Sequence, residues 1–196
     1  YAGATQFEIL SITDNRMVAR LVQANNVALA WYLVFTTTRP TQAATATDYT
    51  VLKFSDEFNV DGAPDATKWS YDLGTGDNGW GNSESQSYTS AADNVIVSGG
   101  NLKITAKKVG SSYTSARLKT EDKYEFTYGK VEVRAKLTTG AGTWPAIWML
   151  GENYATNAWP NCGEIDIMEY KGSQPTTIYG SLHYPGNFGG NANTAT

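Results

Sequence analysis

The chain has 196 residues, a formal net charge of −4, and is 41% hydrophobic and 17% charged, which suits a folded protein and excludes a disordered tail. The acidic balance argues against a nucleic-acid binder, and no apolar run approaches the roughly 18 residues of a membrane span. One cysteine, Cys162, and one histidine, His183, exclude an internal disulfide and a zinc site of the usual ligand set. A Ser-His-Asp triad would have to use His183, and no nucleophile-elbow pattern surrounds any serine. The 12 Tyr, 6 Trp and 6 Phe suit a surface that stacks on sugars and equally a β-rich core. The first residues lack a basic start and an apolar stretch, so no signal peptide is read there.

Residues 5–38 alternate apolar positions through Ile9, Ile12, Met17, Val18 and Leu21, then Leu29, Trp31, Leu33 and Phe35. With "TDN" and "ANN" as turn signals, two or three strands are expected, a short helix through "MVARLVQ" being the alternative. Residues 39–48, "RPTQAATATD", are small, polar and without period, and read as a linker. From Tyr49 short strands alternate with Gly, Asn and Asp clusters. "NLKITAK" and "KVEVRAKL" alternate cleanly, the latter with Val131, Val133, Ala135 and Leu137 on one face. "VDGAPDATKW", "GTGDNGWGNSES" and "YPGNFGGNAN" read as loops. No long helical period occurs, so residues 49–196 are expected to form an antiparallel all-β sandwich or jelly roll. They stop in the loop-like "GNANTAT", which reads as a window cut from a longer, multidomain chain. The alternative is a complete small β domain with an N-terminal strand extension.

The stretch "CGEIDIMEY", residues 162–170, places Glu164, Asp166 and Glu169 within otherwise apolar chain. In a regular strand Glu164 and Asp166 share a face, and Ile165 and Ile167 point to the packed side. Glu169 lies at an odd spacing from Glu164 and would face the core. A β-bulge at Ile167–Met168 adds one residue and returns Glu169 to the carboxylate face. Gly163 precedes the motif, where backbone can approach closely. Upstream, "TWPAIWML" sets Trp144, Ala146 and Trp148 on one face, and Ile147 and Met149 on the other. Two glutamates facing a cleft with an aspartate between them are the equipment of glycoside hydrolysis, and their carboxyl groups can approach the ~5–5.5 Å of a retaining pair. Three such charges cannot all ionise cheaply, so one pKa is expected to rise, as a general acid needs. A solvated acidic face and a Ca²⁺ site are the competing readings.

"GEIDIMEY" resembles the bulged catalytic signature of glycoside hydrolase family 16, E-[ILV]-D-x-x-E. "FSDEFN" at 54–59, "GWGNSESQSYT" at 79–89, "LKITA" at 102–106, "FTYGKVEVRAKL" at 126–137 and "GTWPAIWMLG" at 142–151 follow in the family's order. Together they resemble the laminarinases of that family, endo-acting 1,3-β-glucanases. The resemblance implies a concanavalin A-like jelly roll with a concave cleft and a retaining double displacement. It implies Glu164 as nucleophile, Glu169 as acid/base and Asp166 as the residue that tunes the nucleophile. It also places Asn82 and Glu84 along the non-reducing side of the cleft and Arg117 as a sugar contact, with a surface ion pair as the bland alternative. Trp144 and Trp148 become stacking platforms or buried core aromatics, Trp159 a cleft wall, and His183 a cleft-side polar residue or a satisfied structural group.

No cofactor is required for such chemistry, although many family members hold a structural Ca²⁺ through backbone carbonyls near "DEF" and an Asp near the C-terminus. The implied partner is a polysaccharide, β-1,3-glucan, with no nucleic acid or membrane, acted on by a monomer within a multidomain chain outside the cell or at its surface. The competing readings are a hydrolase of another glycan, such as mixed-linkage β-glucan or agarose, and a non-catalytic carbohydrate-binding module. Residues 1–38 fall outside the family and resemble the closing strands of an immunoglobulin-like or PKD-like sandwich.

Overall fold

The computed structural model describes residues 50–195 and the strands within 5–13, 16–23 and 32–36; for these three strands and residues 191, 193 and 195 only the backbone is described. The chain forms two compact units. One comprises Tyr1–Tyr49 with Tyr128–Thr196, the other Thr50–Thr127.

In the first unit, β1 (Thr5–Thr13), β2 (Arg16–Gln23) and β3 (Tyr32–Thr36) pair as an antiparallel meander. "MVARLVQ" is therefore strand, as its alternation with β-branched residues favours. The linker expected at 39–48 lies outside the described residues.

The second unit holds seven short strands among the described residues: β4 (Ser70–Asp72), β5 (Gln86–Tyr88), β6 (Val95–Val97), β7 (Leu102–Ile104), β8 (Lys107–Val109), β9 (Ser112–Ser115) and β10 (Arg117–Lys119). β6 and β7 form a hairpin closed by Gly99 and Gly100, whose φ values of 61° and 71° match the turn that suits strand twist. Val95 and Val97 are the buried centre of this unit. Beside them the buried Asn94 amide donates to the Thr105 carbonyl (2.9 Å) and the Thr114 hydroxyl (3.0 Å) and accepts from Thr89 (2.7 Å). The pairing of a buried amide on both sides avoids the cost of an unsatisfied group.

Back in the first unit, β11 (Glu132–Val133) lies parallel to β3, Glu132 beside Val34. The longer strand expected through "KVEVRAKL" is not formed. Residues 134–137 have no ladder partner among the described residues, and alternation alone does not satisfy a backbone; Ala135 stays exposed. β12 (Ala146–Leu150), β13 (Glu164–Tyr170), β14 (Ile178–His183) and β15 (Asn193–Ala195) form an antiparallel sheet in that order. Its buried side is built by Ile167, Met168, Tyr170 and Leu182. This sheet carries the carboxylate motif.

Candidate active site

The register of β13 shows how the motif is arranged. Against β12, Glu169 faces Ala146, Met168 faces Ile147, and Asp166 faces Trp148, so Ile167 has no partner. Against β14, the three steps from Asp166 to Glu169 span only two, from Ser181 to Tyr179. Both edges locate one extra residue at Ile167–Met168, the bulge that the spacing requires. Ile167 and Met168 are 4% and 2% exposed, so the apolar pair turns inward. Glu164, Asp166 and Glu169 are left on the face shared by Ala146, Trp148 and Leu150.

Asp166 is only 5% exposed. Its Oδ2 lies 3.0 Å from His183 Nε2, which is 3.7 Å from Glu164 Oε1. The Gly189 N–H donates to His183 Nδ1 at 3.1 Å. Because a backbone N–H can only donate, Nδ1 must accept, and the neutral ring carries its proton on Nε2 and donates it to Asp166. His183 is thus fixed from both ends, and its ring lies 5.9 Å from that of Trp159, itself 5.3 Å from Phe188.

Burial raises the pKa of Glu164 to about 7, helped by the Asp166 charge, the hydrogen bond between the two and the Glu169 charge, and opposed by His183. Burial likewise raises Asp166 to about 7, helped by the Glu169 charge and opposed by its bond with Glu164. The expected rise falls on this hydrogen-bonded pair. Near neutrality the pair shares one proton and titrates as a unit. Oxygen and nitrogen atoms of Glu164, Asp166 and His183 lie within 4.8 Å of one another, a spacing that would accept a cation, although their mutual hydrogen bonds already account for it.

Glu169 is held separately. Its Oε1 accepts from the Trp144 indole N–H at 3.0 Å and its Oε2 from the Ser181 hydroxyl at 3.3 Å. Trp144 is 45% exposed, so it is not a core aromatic. Trp148 is half-buried opposite Asp166.

Asn82, Glu84 and Arg117 belong to the other unit. There the Asn82 amide donates to Glu84 Oε1 at 3.2 Å, and Glu84 Oε2 accepts from the Tyr88 hydroxyl at 2.8 Å and from Gln86. Burial and the bond to Glu84 push the Tyr88 pKa up to about 12. Arg117 pairs with Asp72 at 2.9 Å, with its guanidinium 4.7 Å from the centre of the Trp80 ring. The loop before Glu84 holds Asn78, Gly79, Trp80, Gly81 and Ser83 at positive φ. At Gly79 a Cβ would also lie 2.5 Å from the Glu84 nitrogen, so only glycine fits there.

Near "DEF", Asp56 accepts from the Phe58 N–H (2.9 Å) and the Trp69 indole (2.8 Å). The Lys68 ammonium lies 2.8 Å from the Ser55 carbonyl and 3.8 Å from Asp56. That lysine already supplies the positive charge, so Ser55 and the Asp56 carboxylate do not fit a calcium ligand set.

Ser181, Phe188, Trp80 and Tyr88 were not singled out in the sequence. Ser181 had a usable signal: it lies two residues before His183 and so shares its face.

An antiparallel all-β sheet with two glutamates and an aspartate brought to one face by a bulge defines a carbohydrate-active class of site. Glycosyl hydrolases family 16 matches residues 82–195, and the chain belongs to that family. It is 50% identical over 138 residues to a β-glucanase of Rhodothermus marinus, covering 67% of this chain and 48% of that protein. It is 39% identical over 153 residues to glucan endo-1,3-β-glucosidase A1 of Niallia circulans, covering 70% of this chain and 22% of that protein. Among solved structures, the laminarinase from Flavobacterium sp. UMI-01 is 48% identical with a TM-score of 0.70, over 74% of this chain and 63% of that one. The chain thus spans about half, or less, of the length of these curated relatives. The likeness bears out the all-β jelly-roll class expected from the sequence.

Proposed function

We propose that the protein is an endo-acting, retaining hydrolase of β-1,3-glucan of the laminarin type. The observation that carries this reading is the bulge at Ile167–Met168, which puts Glu164, Asp166 and Glu169 on one face while giving Glu164 and Glu169 different partners. The β-glucanase and laminarinase relatives support the choice of glucan.

In the first step Glu164 attacks the anomeric carbon, the bond to the leaving glucan breaks, and Glu169 gives its proton to the departing oxygen. In the second, Glu169 takes a proton from water, the water oxygen attacks the same carbon, and the bond to Glu164 breaks. Glu164 must be ionised to attack, so the proton it shares with Asp166 sits on Asp166 in the productive state. His183 keeps that aspartate oriented.

Trp148 and Trp159, with Phe188, supply aromatic surface for sugar rings. No cofactor is needed by this chemistry. A Ca²⁺ would be structural and held by backbone carbonyls other than that of Ser55, and a chelator should then lower the melting temperature. This reading has the protein working outside the cell or at its surface, as a monomer.

Product analysis with the full-length protein on laminarin, lichenan and agarose tests it. Short oligosaccharides from laminarin with the β-anomer formed first are expected. Preferred cleavage of lichenan or agarose would move the substrate to another glycan. Tight binding without products would leave a carbohydrate-binding module.

A further inference from the structure

We propose that Trp144 is a positioning residue for Glu169 rather than a sugar platform, an inference that rests on Glu169 being the acid/base. The indole N–H is a donor only, and it lies 3.0 Å from Glu169 Oε1. Ala146, two residues on from Trp144, is the cross-strand partner of Glu169, so the indole and the carboxylate come from neighbouring strands at one level of the sheet.

The backbone that delivers the indole is clamped beyond the end of β12. The Tyr170 N–H donates to the Pro145 carbonyl at 3.0 Å, and the Gly172 N–H to the Thr143 carbonyl at 2.9 Å. Thr143 in turn caps the tight turn through its hydroxyl, 2.8 Å from the Gly140 carbonyl. This turn sits directly on Gly172. A Cβ there would lie 1.9 Å from the Gly140 oxygen and 2.3 Å from the Thr143 hydroxyl, closer than atoms can approach. The glycine, at a backbone conformation any residue adopts, is therefore needed for space alone.

Glu169 must change protonation state twice per turnover while keeping one orientation toward the glycosidic oxygen and then the water. An indole held by a clamped turn supplies that fixed reference, and such preorganised donors act only if they do not move. The loss on removing the N–H should appear in kcat for substrates that need protonation.

The test uses Trp144→Phe, which keeps an aromatic ring and removes the N–H, in the wild-type and Glu169→Ala backgrounds of the full-length protein. On laminarin, kcat should fall up to about tenfold, the worth of a hydrogen bond, with KM little changed. An activated aryl glycoside, which needs little protonation, should be largely spared. In the Glu169→Ala background, with azide restoring turnover, Trp144→Phe should have no further effect. Gly172→Ala, which displaces the turn with the indole intact, should give the same split between substrates. A raised KM with equal losses on both substrates, persisting in the Glu169→Ala background with azide, would overturn the proposal in favour of a platform. Absence of azide rescue in Glu169→Ala alone would instead remove the acid/base reading on which the proposal stands.

Discussion

His183 Nε2 lies 3.0 Å from Asp166 Oδ2, and the opposite ring nitrogen accepts the Gly189 N–H at 3.1 Å. A single loop amide thereby decides which nitrogen carries the ring proton, and so whether the buried aspartate receives a donor. At neutral pH, ¹⁵N-resolved NMR should find that proton on Nε2. The opposite tautomer would contradict the arrangement. His183→Phe keeps ring packing against Trp159 but removes both nitrogens. It should cost about 1–3 kcal/mol of stability and a comparable factor in rate, because Asp166 is left with an unmet bond. Unchanged melting temperature and kcat would show that the bond carries nothing.

Asp166→Asn should move the acidic limb of kcat/KM to lower pH. As the proposed nucleophile Glu164 must be ionised to attack, and burial raises its pKa to about 7. The substitution removes the Asp166 charge, the second-ranked cause of that rise, while burial, the first, persists. The limb should therefore shift by roughly one pH unit rather than return to the ordinary carboxylate range. An Asn oxygen can still accept from His183, so the fold should hold. A pH profile identical to wild type would mean that the two acids do not titrate together.

The same pair makes stability depend on pH in a defined direction. Glu164 and Asp166 rise from 4.5 and 3.8 to about 7 on folding, so the folded protein binds these protons more tightly. Their contribution is fully present below about pH 4 and is lost as the pH rises through 7. For one such group the change is at most on the order of 4 kcal/mol. The melting temperature should therefore fall from pH 5 to pH 8, and Glu164→Gln should flatten that slope. A melting temperature that rises over this interval in wild type, or a slope unaltered by Glu164→Gln, would count against the shared proton.

Deleting Met168 tests the bulge. The deletion would leave Glu164 and Glu169 four apart, on one face of a regular strand. Activity should drop and stay measurable, provided Tyr170 and the residues beyond keep their register. Replacing Met168 with Ala is the stability control. The residue is 2% exposed, and the substitution should cost about 2–5 kcal/mol with the carboxylate geometry retained. Complete inactivity of a folded deletion protein would show that the spacing needs the bulge itself.

The bulge was legible because the side-chain period of a strand is two and the acids break it, so an odd spacing with buried Ile167 and Met168 admits few solutions. Trp144 was legible as an aromatic near the site, but not as a partner of Glu169, since that depends on which residue of β12 stands opposite. The role of Gly189 left no trace in the sequence, because a backbone N–H is the same in every residue but proline. Strand length along 131–137 misled for a related reason. Alternation reports what a face wants to bury, whereas a strand forms only where another backbone completes the ladder. The pKa rise was expected from charge proximity, yet burial is its largest cause, and burial is settled by packing from elements distant in sequence.

As the proposed nucleophile, Glu164 should form a covalent bond to the sugar during turnover. A β-1,3-linked oligosaccharide with a 2-deoxy-2-fluoro substitution and an activated leaving group slows the second step, so the intermediate accumulates. Peptide mass mapping of the inactivated full-length protein would locate the sugar. One equivalent is expected, on Glu164, with activity recovered when water or an acceptor sugar is given time to turn the adduct over. A label on Glu169 or Asp166, or no label while wild-type hydrolysis yields the α-anomer first, would contradict it.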